Sequence, residues 1–131
     1  VTVLAFVALL AVGCEGGVQV DAQAGRLVHL MAKSGQFRVR VQAALALSKV
    51  AIGDTSVTEA LVQALRDEHP AVRAAAAWSL QARANPAVLY ALRAAESDGD
   101  PGVALAATRA VVALEEVAQA LPSASDFHDQ R

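Results

Sequence analysis

One pattern restricts this chain more than any other: a stretch rich in valine, alanine and leucine that is written three times. The copies are FRVRVQAALALSKV at 37–50, PAVRAAAAWSLQAR at 70–83 and PGVALAATRAVVAL at 101–114. Val39, Val72 and Val103 fill the same slot, giving steps of 33 and 31 residues. A shorter amphipathic stretch precedes each copy: RLVHLMAKS, TEALVQALRDE and AVLYALRAAESD. A helix pair of this size cannot bury its apolar face alone and gains a core only by stacking on the next pair. The pattern therefore predicts an all-α fold, a short α-solenoid of about three helix pairs (helix A, turn, helix B) over residues 25–120. Aromatic residues make up only 4% of the chain, which disfavours a β-sandwich and suits close packing of small-residue helices.

The punctuation falls where such pairs need it. Ser56 and Glu59 have the spacing of a capping box for the second A helix. Asn85-Pro86 and Asp100-Pro101 offer a capping side chain followed by proline at the first helical position, and His69-Pro70 offers the same with a poorer cap. Gly35 and Gly53 fall in turns, where a left-handed backbone is tolerated.

The runs VRVQAALAL and VRAAAAWSL resemble HEAT repeats, specifically the short HEAT-like repeats named after phycobilisome lyases, over about residues 25–118. The resemblance implies a right-handed superhelix whose B helices line the inner surface. It also implies that Arg40 and Arg73 match a recurrent arginine that pairs with acidic residues along the stack, with Asp67 a plausible partner. The third copy has Ala104 in this slot, so such a ladder ends there.

On the B helices, Val39, Ala43, Ala44, Ala46 and Leu47 share one arc, as do Val72, Ala76, Ala77, Ser79 and Leu80. The opposite arc holds Val41, Leu45 and Ser48 in the first copy, Ala74, Trp78 and Gln81 in the second, and Leu105, Arg109 and Val112 in the third. A face that met only water would be polar. Val41, Leu45, Trp78, Leu105 and Val112 instead predict an apolar stripe with Lys49, Arg83 and Arg109 at its rim. Such a stripe suits a peptide or protein partner anchored on Trp78. The alternative is that the C-terminal tail, residues 121–131, covers the stripe with Leu121 or Phe127.

Residues 1–13, VTVLAFVALLAVG, carry no charge. As a helix they rise roughly 20 Å, too little for a bilayer core and suitable for the apolar part of a secretory signal. Ala11-Val12-Gly13-Cys14 resembles the lipobox of bacterial lipoproteins, with Ala11 where leucine is commonest. That resemblance implies that Cys14 is lipidated and anchors the chain to a membrane. Glu15, rather than aspartate, implies the outer membrane of a bacterial envelope. Residues 14–24 then read as a flexible tether. The competing reading is a buried first helix with an inert cysteine, and a cytoplasmic chain.

Nothing in the sequence assembles into chemistry. His29, His69 and His128 stand apart, without paired metal-ligand spacing. Asp126, His128 and Asp129 cluster on the tail, where such groups are usually solvated. Glu115 and Glu116 are adjacent and point to different sides of a helix. No catalytic residue, metal or cofactor is expected. The formal net charge of −2, without a basic face, disfavours nucleic acid. The sequence reads as a non-catalytic, lipid-anchored interaction scaffold. A chromophore-lyase-like enzyme or accessory, or a cytosolic scaffold, is the alternative.

Overall fold

The computed structural model describes residues 22–122, and every regular element among them is helical. Helix α1 covers 22–33, α2 Phe37–Leu47, α3 Thr55–Ala64, α4 Pro70–Ala82, α5 Leu89–Ala95 and α6 Pro101–Ala120. A short 3₁₀ turn, Pro86–Val88, leads into α5. Odd-numbered helices are the A members of three pairs and even-numbered helices the B members. Residues 22–24 lie within α1 and Ala24 is buried, so the first helix begins earlier than the tether read over 14–24 allows. The remainder of that segment, Cys14 and residues 1–13 included, lies outside the described residues, as does the tail beyond Pro122.

Side-chain chemistry explains the helix starts. Asp54 caps α3 by accepting the Ser56 N–H at 2.8 Å and the Ser56 hydroxyl at 2.6 Å. Ser56 is therefore not the cap but the second residue of the helix that Asp54 caps. These two bonds hold the Asp54 carboxyl below its ordinary pKa. Asn85 accepts from the Ala87 N–H, and Asp100 accepts from Val103, each with proline next in line. His69 caps α4 with Nδ1, which accepts the Ala71 N–H at 3.2 Å, and its ring stacks on Phe37 at 3.7 Å.

The left-handed turn positions belong to Ala51, with φ 47°, and Ala84, with φ 52°; no described glycine has positive φ. These alanines follow the first two B helices one repeat apart. A Cβ in this conformation is strained by roughly 1–2 kcal/mol, so neighbouring contacts must hold each turn in place.

Packing follows the repeat. Adjacent B helices lie directly against each other, α2 on α4 and α4 on α6, while α3 and α5 each pack on the following B helix. Ala43, Ala44, Leu47, Val72, Ala76, Leu80, Ala107, Ala110 and Leu114 fill the seams. Alanine at so many of these positions lets helix axes approach closely, and leucine fills what remains. Each buried leucine contributes roughly 1.5–3 kcal/mol. No helix among the described residues is long and apolar enough to cross a membrane.

Candidate binding surface

Three arginines set the frame from which the candidate surface projects. Arg40 on α2 donates Nε and Nη2 to the two carboxylate oxygens of Asp67, each at 3.0 Å, and Nη2 also reaches Glu68 at 3.3 Å. Its Nη1 donates to the Ser34 carbonyl at 2.8 Å. One repeat later Arg73 does the same, with Nε and Nη2 on Asp98 at 2.8 and 3.0 Å and Nη1 on the Asp67 carbonyl at 2.9 Å. Asp67 thus joins two rungs: its carboxylate accepts from Arg40 and its backbone from Arg73. Planar, two-point pairing of this kind fixes orientation as well as distance. It raises the pKa of both arginines and, with the Asp100 N–H, holds the Asp98 carboxyl below its ordinary range. Ala104 contributes no third rung.

Asp98 lies one repeat after Asp67, so the period itself pointed to it as the second acidic partner. Sequence resemblance alone names Asp67 beside the arginines, and the structure adds Asp98.

Arg83 does not stand at the rim of the stripe. It is 4% exposed, and its guanidinium fills the turn between α2 and α3. Nη1 donates to the carbonyls of Leu47 at 2.9 Å and Val50 at 2.8 Å. Nη2 shares its protons among the carbonyls of Ala51 at 2.7 Å, Ile52 at 3.1 Å and Asp54 at 3.1 Å, and Nε faces the Thr58 hydroxyl at 3.3 Å. Burial lowers its pKa, with the Asp54 charge opposing. Five carbonyls in place of a carboxylate satisfy the cation and close the strained turn at Ala51. The signal was present: Arg83 lies on the same arc as Val72, Ala76 and Leu80, so helical geometry alone places it inward. Ser79, on that arc too, donates its hydroxyl to the Ala44 carbonyl at 2.7 Å.

The outer arc is where the exposed apolar residues lie. Trp78 is 49% exposed, Leu105 52% and Val112 51%. Arg109 stands exposed between the last two on α6. In the first copy the stripe is less open: Val41 and Leu45 are half-buried and packed against the core, and Ser48 is buried, its hydroxyl donating to the Leu45 carbonyl. The open part of the stripe therefore belongs to α4 and α6. Arg38 and Lys49 are exposed at the two ends of α2.

The opposite side of the stack was not read from the sequence. Two hollows of about 320 and 280 Å³ flank the exposed Tyr90 between α3 and α5, sharing Val62, Gln63 and Tyr90 in their walls. They arise because neighbouring A helices pack on B helices more than on each other. No group of histidine, cysteine, aspartate or glutamate among the described residues is placed to hold a metal ion. The tail cluster Asp126, His128 and Asp129 lies outside them.

A stack of helix pairs repeating at this interval, cross-linked by arginines and presenting a B-helix face, defines an α-helical repeat protein. A profile of HEAT repeats matches residues 24–112 and again 58–126, two placements that begin one repeat apart. The chain belongs to the HEAT-repeat family. No curated protein matches it.

Proposed function

We propose that this chain is a non-catalytic protein-interaction scaffold, anchored to a bacterial envelope membrane through lipidated Cys14, that binds a peptide or protein partner on the exposed B-helix face of α4 and α6. The observation that carries the binding reading is the half-exposed Trp78 on α4 together with half-exposed Leu105 and Val112 on α6, helices whose inner arcs are buried. Large apolar side chains held half-open by a rigid frame are favoured anchors for a partner. Such a frame also loses little further freedom on association. Membership of a repeat family whose members serve as scaffolds fits this reading. Anchoring rests on the likeness of residues 11–14 to a lipobox and would concentrate the scaffold near other envelope components.

Two experiments test the two parts. A photo-crosslinking amino acid placed at Thr108 on α6, beside the stripe, captures a discrete partner in cells, and Trp78→Asp abolishes that adduct; an unchanged adduct removes Trp78 as the anchor. Cys14→Ser moves the chain from the detergent phase to the aqueous phase; unchanged partition removes the lipid anchor and leaves the binding face untouched.

A further inference from the structure

The charges around the stripe specify what kind of segment it accepts. Arg38, at the start of α2, and Leu45 share one narrow arc, and Lys49 lies just past the end of the helix on the same side. Arg109 occupies the corresponding line of α6, between Leu105 and Val112. All three cations are exposed, and none forms an ion pair among the described residues. Only Glu116, one turn past Val112, places an acid on this line. The other described carboxylates lie elsewhere: Asp54 and Asp100 cap helices, Asp67, Glu68 and Asp98 are engaged by the ladder, Glu115 pairs with Arg93, and Glu59 and Glu96 belong to α3 and the end of α5. Of the six exposed cations without an ion pair among the described residues, Arg38, Lys49 and Arg109 thus stand on the B-helix side with one acid on their line, while Arg26, Lys33 and Arg66 belong to the A-helix side.

Resting on the reading that this face binds a partner, we infer that the partner segment is an acidic, apolar peptide from another protein, with an aromatic or aliphatic side chain flanked by carboxylates. Its apolar side chain packs on Trp78, Leu105 and Val112, and its carboxylates face Arg109 and Lys49. The apolar centre sets affinity. The cations select the sign of the flanks and speed the encounter. A polyphosphate ligand fits worse, because the centre of the face is apolar and the cations stand at its edge.

The test is selection of a random short-peptide display library on the full chain, with the Trp78→Asp chain as the counter-selection. The expected result is enrichment of aspartate and glutamate next to phenylalanine, leucine or tryptophan. An enriched peptide, titrated against the fluorescence of Trp78, the sole tryptophan, loses affinity about three- to fivefold in Arg109→Glu and again in Lys49→Glu. Its binding weakens as salt rises. Enrichment of neutral or basic apolar peptides overturns the acidic partner while leaving the face a binding surface. Enrichment that appears only after the chain is shortened to Pro122 makes residues 123–131 the occupant and overturns an external one. No enrichment on either chain overturns the inference, and the cellular crosslink from Thr108 then decides separately whether the face binds anything.

Discussion

The two flanks of α4 differ in a way that reverses simple expectation: the cation is inside and the tryptophan is outside. Arg83 is nearly completely buried while Trp78, five residues earlier, is half-exposed. The difference teaches which groups serve the fold and which are free for other work. Buried Arg83 is satisfied by five carbonyls and a hydroxyl, so its charge is fully committed to one turn. The indole of Trp78 has no comparable commitment. The third copy sharpens the contrast, because Leu114 and Ala110 occupy the slots of Arg83 and Ser79 and are buried as ordinary core. The polar closure of a turn is thus specific to the first junction, and α6 covers the following turn, Pro86–Val88, by packing.

The largest effect is expected on the buried flank. Arg83→Met leaves several carbonyls of the α2–α3 turn without a donor, at about 3 kcal/mol in all. Thermal unfolding should then begin more than about 10 °C lower. Arg83→Lys rescues only part, because an ammonium has three donors and no planar fork. A melting temperature within a few degrees of the parent in Arg83→Met would show that water replaces the guanidinium there.

The rungs come next. Arg40→Ala and Arg73→Ala should each destabilise less than Arg83→Met, since each arginine makes four hydrogen bonds where Arg83 makes six. Double-mutant cycles should show coupling within Arg40–Asp67 and within Arg73–Asp98, and none between Arg40 and Asp98. Coupling across the mismatched pair would mean that the two rungs act as one network.

The second rung also has a pH signature. The folded-state pKa of Asp98 is lowered, first by Arg73 and then by the Asp100 N–H. Its contribution is therefore complete above the unfolded carboxylate value, about 3.9, and is lost as pH falls through the lower folded value. Urea denaturation of the parent should weaken on acidification below about pH 4. Asp98→Asn should be weaker near neutrality and flatter on the acid side, and an equally steep acid limb would remove Asp98 from the account. Asp54, held low by Ser56, supplies part of the slope that remains.

The smallest change is a gain. Ala51→Gly and Ala84→Gly relieve left-handed alanines, and each should add about 0.5 kcal/mol after the added freedom of the unfolded chain is subtracted. A loss at Ala51 alone would mean that its methyl group supports the turn that Arg83 fills.

The repeat, its three copies and the inner arcs were legible because period and helical geometry act over many residues at once. The outer face was legible in part. Trp78, Leu105 and Val112 stand open where the wheel put them, while Val41 and Leu45 pack more closely than a wheel can show. Charge alone puts Arg83 at the rim, whereas its position on the arc puts it inside, and position wins because five carbonyls satisfy the cation. At α3 the box spacing of Ser56 with Glu59 competes with an aspartate two residues earlier, and Asp54 takes the cap. Gly35 and Gly53 drew attention that belonged to Ala51 and Ala84, where tertiary contacts override the residue's own preference. The hollows beside Tyr90 could not be read, since they depend on how far apart whole helices settle.

The division of labour on α4 is tested most directly by capturing the partner with Trp78→Ala, each sample normalised to its folded fraction by circular dichroism. The account predicts that Trp78→Ala melts close to the parent, losing about 1 kcal/mol or less, and yet recovers at least about tenfold less partner. Full recovery per folded molecule, with a melting loss like that of Arg83→Met, would make Trp78 a core residue and contradict the account.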